Sequence, residues 1–166
     1  MDQAQGAIDA ARAAGAEQYA TTEYAAATSS LQSAHDAVAA GDYRLALNHA
    51  LSSHQRAQNA ARETADSKAA VRAGVERTLV ELDMFIGEAE ARLATAQRAR
   101  VAQRLLAEPV MALATIRADL QEARAAVDSG EYVTAEKGLE GMRGRIDAVL
   151  AAIADATTPQ SARRRR

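Results

Sequence analysis

No cysteine and no tryptophan occur in this chain, and it carries a single phenylalanine and only two prolines, Pro109 and Pro159. The missing cysteine removes disulfides, thiolate zinc sites and thiol nucleophiles, and it leaves the redox compartment open. Scarce aromatics, with no cluster of β-branched residues, argue against a sheet. No apolar run approaches the length that a membrane-crossing helix needs. Met1 is followed at once by Asp2 and Gln3 rather than by an apolar segment, so no signal peptide is expected; a mature chain given a new Met would read the same. An excess of charge of one sign is lacking too. The formal net charge is −2, and setting aside Arg163, Arg164, Arg165 and Arg166 takes it to −6. The body of the chain is mildly acidic, and nucleic acid is not an expected partner.

What the chain has in quantity is alanine, about a quarter of its 166 residues. Alanine is the strongest helix former, so the expected class is all-α, with helices drawn close by small side chains. Two stretches organise the rest. Residues 34–43 read Ala-His-Asp-Ala-Val-Ala-Ala-Gly-Asp-Tyr, with Ala46 following, and residues 123–132 read Ala-Arg-Ala-Ala-Val-Asp-Ser-Gly-Glu-Tyr, with Ala135 following. Each predicts a helical hairpin corner. Gly41 and Gly130 suit the left-handed position that closes a helix. Asp42 and Glu131 are placed to accept from unpaired N–H groups at the start of the next helix. Tyr43 and Tyr132 are expected to wedge the corner shut. So short a connection makes the two helices antiparallel neighbours.

The spacing predicts a first helix over 3–16, with Ala7, Ile8, Ala11 and Ala14 inward and Asp2 as cap, then an interruption at Gly15 and a cap at Thr21 or Thr22. Tyr24, Leu31 and Val38 recur every seven residues with Ala27 and Ala34 between them, a seam for close helix pairing. Beyond the first corner, Tyr43, Ala46, Leu47, Ala50, Leu51, His54, Ala57 and Ala61 continue a helical face. Periodicity weakens near Asp66 and Ser67, then returns as the strongest heptad of the chain: Val75, Leu79, Leu82, Ile86, Ala89, Leu93 and Ala96. No breaker stronger than Gly74 stands between residues 43 and 106, so one long helix is expected there, or a bend near 66–74. Pro109 marks a boundary and the start of a helix over Leu113, Ile116, Leu120, Ala123 and Val127. A final helix is expected from about 131 to 155, and residues 157–166 are expected to be a disordered basic tail. The corners lie 89 residues apart, and at that offset Tyr24 falls on Leu113, Leu31 on Leu120, Ala34 on Ala123 and Arg56 on Arg145. The expected architecture is therefore an antiparallel helical bundle of two duplicated hairpin units, 1–70 and 71–156, joined by a long helix.

Residues 13–24, Ala-Ala-Gly-Ala-Glu-Gln-Tyr-Ala-Thr-Thr-Glu-Tyr, together with Leu31, Ala34, the Ala39-Ala40-Gly41-Asp42-Tyr43 corner and Ala46, carry a resemblance. Over roughly residues 5–70 the chain resembles an uncharacterised family of bacterial helical domains, known mainly from envelope lipoproteins and often found near OmpA-like modules. That family typically reads A-G-A-x-x-Y-A-P-x-E-L in the first stretch; here Thr21 takes the place of its proline and Tyr24 of its leucine. The resemblance implies a helical hairpin domain in the periplasm or cell envelope, or in the cytoplasm if Met1 is the native start. It brings no activity and no catalytic residues.

Candidate chemistry is sparse. His49 and His54 are five residues apart and diverge on a helix, no Glu-x-x-His motif occurs, and His35 stands alone; no metal site is expected. Glu76, Asp83, Glu88 and Glu90 lie among Arg77 and Arg92 and read as solvated helix charges rather than an acid–base pair. The Ser29-Ser30 and Ser52-Ser53 pairs lack a nucleophile-elbow context. Gly138, Gly141 and Gly144 fall inside the last predicted helix, which either tolerates them or is flexible there. Arg163, Arg164, Arg165 and Arg166 would give salt-sensitive, non-specific attraction to phosphate, without an aromatic platform for bases.

No catalytic residue, cofactor site or metal site is expected. The function expected is a non-enzymatic helical scaffold or protein-interaction module. Its face would be Val75, Leu79, Leu82, Ile86 and Leu93, binding a second copy, as in a homodimer, or a partner helix. A peptide-binding repeat module resembling tetratricopeptide arrays is an alternative suggested by the Gly-Asp-Tyr corner, against which stands its 34-residue period. A small-molecule-binding bundle is another, and would need a buried polar cluster.

Overall fold

In a computed structural model that describes residues 1–158, the chain is all-α, with no strand among the described residues. The helices are α1 (Asp2–Ala14), α2 (Ala16–Tyr19), α3 (Thr21–Ala39), α4 (Tyr43–Arg98), α5 (Gln103–Asp128), α6 (Tyr132–Leu139) and α7 (Met142–Thr157). They form two compact units, Met1–Ala70 and Val71–Arg166. Residues 43–70 of α4 belong to the first unit and residues 71–98 to the second.

The two corners have the same backbone chemistry. Gly41 has φ 77° and Gly130 φ 81°, both left-handed. Asp42 N–H bonds back to Ala37 carbonyl and Gly41 N–H to Val38 carbonyl; Glu131 and Gly130 repeat this to Ala126 and Val127. These are paired closing bonds of the Schellman type, which satisfy carbonyls left unpaired at a helix end. After the turn the copies diverge. Asp42 Oδ1 accepts from Leu45 N–H at 2.9 Å, capping α4, whereas Glu131 makes no side-chain cap. Asp42→Ala should therefore cost about 1 kcal/mol, and Glu131→Ala less; thermal unfolding of both variants followed by circular dichroism checks the ordering.

The first unit packs α1, the short α2, α3 and residues 43–70 of α4 around a lining of alanine. Ala4, Ile8, Ala11, Ala16, Ala20, Tyr24, Ala27, Leu31, Ala57 and Ala60 form its core. On α4 the buried positions step in alternating fours and threes through Ala46, Ala50, Ser53, Ala57, Ala60 and Thr64. Side chains this small let the backbones approach closely, and the two hydroxyls are satisfied by carbonyls: Ser53 Oγ donates to Ala27 at 2.8 Å across the α3–α4 seam, and Thr64 Oγ1 to Ala60 at 2.6 Å. Arg12 Nε donates to the Tyr24 hydroxyl at 2.7 Å and closes α1 onto α3.

The second unit has a core of larger residues. Val75, Leu79, Leu82, Ile86, Ala89 and Ala96 of α4 pack with Leu106, Leu113, Ile116 and Leu120 of α5 and with Leu139, Met142, Ile146, Val149 and Ile153 of α6 and α7. At the offset of 89, Ala27 corresponds to Ile116, Ala50 to Leu139, Ser53 to Met142, Ala57 to Ile146, Ala60 to Val149 and Thr64 to Ile153, and all twelve are buried. One burial pattern thus carries two core volumes. Asp83 pairs with Arg124 and Glu90 with Arg117. Seven residues forward on α4 match seven residues back on α5, the signature of antiparallel neighbours.

Several local expectations give way. α4 ends at Arg98, and the next helix starts at Gln103, before Pro109 rather than at it. The turn between them has neither Gly nor Pro. Arg100 takes φ 56°, and Val101 N–H closes onto Ala96 carbonyl as Arg100 N–H does onto Gln97. Val101 packs on the core beside buried Ala96, and that contact offsets a left-handed arginine costing roughly 1–2 kcal/mol. Pro109 sits buried inside α5. The last helix is two: Glu140 is extended with ψ 132° and Gly141 left-handed with φ 71°, yet the buried steps run on through Leu139, Met142 and Ile146. Asp2 lies in the first turn of α1 rather than at its cap, and Ala20 precedes α3 with no side-chain cap. Thr21 instead donates to Glu17 carbonyl. Ala14 is exposed. Ala37 is buried and Val38 is not. Helix α7 runs to Thr157, so the predicted tail does not begin there; Pro159 and Arg163, Arg164, Arg165 and Arg166 lie outside the described residues.

Candidate functional site

The titratable groups do not converge. His35 is exposed and His49 half-buried. His54 Nδ1 lies 3.2 Å from Gln3 carbonyl and its Nε2 3.1 Å from Gln58 Nε2. Among the described residues, no group of three or more His, Cys, Asp or Glu side chains is placed to hold a metal ion. Four acids of α4 pair with arginines at the surface: Glu76 with Arg72 at 2.8 Å, Asp83 with Arg124, Glu88 with Arg92 at 2.5 Å and Glu90 with Arg117 at 2.5 Å. Exposed pairs of this kind add little stability. The Arg12 guanidinium is raised above the usual arginine range, chiefly by its bond to Tyr24, and that of Arg72 chiefly by its bond to Glu76. Both stay charged across the pH range in which proteins fold, so neither is a switch.

The predicted interaction face is occupied from within. Val75, Leu79, Leu82 and Ile86 are buried and Leu93 is half-buried, all in the core of the second unit. The strong heptad packs with α5 and α7, so the face expected to be free is core in this structure. Of the corner residues, Gly41 and Gly130 turn the chain and Asp42 caps. Tyr43 does not wedge anything; it is 73% exposed. Tyr132 is half-buried, with the Arg72 guanidinium 5.9 Å from its ring centre.

Free apolar surface gathers instead along one side of the first hairpin. Tyr43, Leu47 and Leu51 follow one another at intervals of four on α4 and are 73%, 59% and 58% exposed; Val38, just before the corner on α3, is 42% exposed. Gln3, at the start of α1, meets His54, and farther along Lys68 Nζ lies 6.0 Å from the Tyr19 ring centre. Helices α1 and α2 therefore accompany α4 from about His54 to Lys68.

The second unit covers the same ground. His54 corresponds to Arg143, whose guanidinium lies 3.2 Å from the ring centre of Phe85. Helix α4 continues from Phe85 back through residues 71–84, over the second hairpin. There Gly74, Val75 and Thr78 line a groove with Glu136, Leu139 and Glu140. Val127, the counterpart of Val38, is packed on the core. Leu47 and Leu51 correspond to Glu136 and Glu140, which are exposed acids. The second hairpin is covered and polar where the first is bare and apolar.

Comparison with known proteins reaches the first unit. Residues 1–76 match the family model described as Domain of unknown function (DUF4398). The match takes in the whole first unit, both helices of the bare hairpin and its Gly41 corner, and it ends six residues into the second unit. The matched family is uncharacterised. No curated protein and no solved structure matches the chain. No helix among the described residues is long and apolar enough to cross a membrane.

The periodicity puts Tyr43, Ala46, Leu47, Ala50 and Leu51 on one face, whereas the structure buries Ala46 and Ala50 and exposes Tyr43, Leu47 and Leu51. The signal was present: Leu47 and Leu51 are each one position beyond an alanine of the 46–50 pair. One residue is 100° of helix, and here Ala46 and Ala50 are buried while Leu47 and Leu51 are exposed.

Proposed function

We propose that this chain is a non-enzymatic helical module that binds protein through the bare side of its first hairpin. The observation carrying this reading is the exposure of Tyr43, Leu47 and Leu51 along one side of α4; the second unit keeps a tyrosine at the first of these positions, Tyr132, and carries Glu136 and Glu140 at the other two. Large apolar side chains grouped on a surface mark interaction sites more often than chance exposure does, and an apolar helix face is read at i and i+4 spacing by a partner helix. The mildly acidic body supports protein rather than nucleic acid as the partner. The likeness of residues 5–70 to helical domains of envelope lipoproteins supports an envelope setting.

Site-specific photo-crosslinking in the native host tests the reading. A photoreactive residue at Leu47 should give adducts with protein, self included, and the same residue at Glu136 should give none. Equal labelling at both positions, or none at Leu47, overturns it.

A further inference from the structure

The turn between α4 and α5 closes as the Gly41 and Gly130 corners do, with an arginine in the place of the glycine. Val101 N–H bonds to Ala96 carbonyl and Arg100 N–H to Gln97 carbonyl, and Arg100 has φ 56°. Glycine adopts that conformation freely, and any other L residue there is strained. Strain of this kind collects at functional sites.

The surroundings of Arg100 share its charge. From Ala91 to Ala107 the chain carries Arg92, Arg98, Arg100 and Arg104 and no acid. Arg98, Arg100 and Arg104 are exposed. Arg92, Arg117, Arg124, Arg143 and Arg145 each pair with an acid, whereas these three have no acidic partner among the described residues. Glu108 and Asp155 line a cleft beside the turn with Arg104, and with both counted this end of the unit is still basic. Large apolar side chains stand among the arginines: Leu105, Val110 and Met111 are exposed on the first turns of α5. The far end of the same unit has the opposite sign, since residues 119–140, around the Gly130 corner, hold six acids and two bases.

We propose that the α4–α5 turn docks on an anionic lipid bilayer, with Arg98, Arg100 and Arg104 against the headgroup phosphates and Leu105, Val110 and Met111 in the interface beside them. This goes beyond the protein-binding reading above and does not depend on it. Arginines draw anionic headgroups by charge, and apolar side chains set among them gain by leaving water. A unit that is basic at one end and acidic at the other is oriented end-on by the field of an extended charged surface. Duplex DNA would engage the arginines alone, leaving the apolar side chains in water, and unpaired bases would find no aromatic platform here.

Flotation of the purified full chain with vesicles tests this. The chain should float with vesicles containing phosphatidylglycerol, stay behind with vesicles of phosphatidylcholine alone, and be released as salt rises. Arg100→Gly separates binding from folding. It relieves the left-handed side chain, so the midpoint of thermal unfolding should rise, while the partition coefficient for the anionic vesicles should fall about fivefold. Arg104→Gln should lower it by a similar factor, and Leu105→Gln should lower it too, both with unchanged helicity by circular dichroism. Glutamine in place of Arg163, Arg164, Arg165 and Arg166 removes the other basic run, and the effects of Arg100→Gly and Arg104→Gln should persist in that background. The inference is overturned if the chain ignores anionic vesicles, binds both kinds equally, keeps its affinity after the substitutions at the turn, or owes its binding to the terminal run alone. Retention of duplex DNA with the same arginine dependence, and of no vesicles, overturns it in favour of nucleic acid.

Discussion

Ile146→Ala is expected to destabilise the second unit by about 2–5 kcal/mol. Ile146 is fully buried on α7, in a core made with α4 and α5. Alanine there loses the transfer free energy of three carbons and leaves a cavity that rigid helix neighbours close only in part. Small domains have about 5–15 kcal/mol in total, so this one change removes a large share. Urea unfolding followed by circular dichroism should show an early loss of helix. Hydrogen exchange read by mass spectrometry should place that loss in α5 to α7 more than in α1 to α3. An exchange pattern unchanged in α7 would mean that this side chain is not packed as described.

The reciprocal change, Ala57→Ile, introduces at the corresponding position the very residue the second unit uses, and it is expected to destabilise the first unit by about 1–3 kcal/mol. The added apolar surface should favour burial. Here the geometry wins. Ala57 is fully buried in a seam whose other members include Ala27 and Ala60, also fully buried, and Ser53 hydrogen-bonds Ala27 carbonyl at 2.8 Å across it. An isoleucine would push α3 and α4 apart and stretch that bond. The same unfolding and exchange measurements apply, with the loss now expected in α1 to α3. A gain in stability would show that the alanine seam has room that its close packing denies.

Taken together, these substitutions separate pattern from volume. The order of buried positions is shared between the units at an offset of 89 residues, but the distance between helices is set by what occupies those positions. Asp42 and Glu131 make the same point on a smaller scale: both follow a left-handed glycine and both close their corner through the backbone, yet only Asp42 reaches a cap, to Leu45 N–H.

The sequence by itself determined the helical class and both hairpin corners. Alanine content acts through local propensity, and a Gly-acid corner acts through backbone bonds spanning six residues, so neither needs a distant partner. The heptad from Val75 to Ala96 was legible for the same reason, as periodicity within one helix. Tertiary structure decided the rest. It closed α4 at Arg98 without Gly or Pro, because Val101 packs on the core and holds Arg100 left-handed. Pro109 lies buried within α5, and the last helix divides at Gly141 without a shift in the buried steps. Above all it decided which faces are free. The strong heptad became core because it packs with α5 and α7, and Leu47 and Leu51 are exposed while Ala46 and Ala50 beside them are buried. Propensity and period say that a helix has an apolar side; whether that side is covered depends on which elements pack against it.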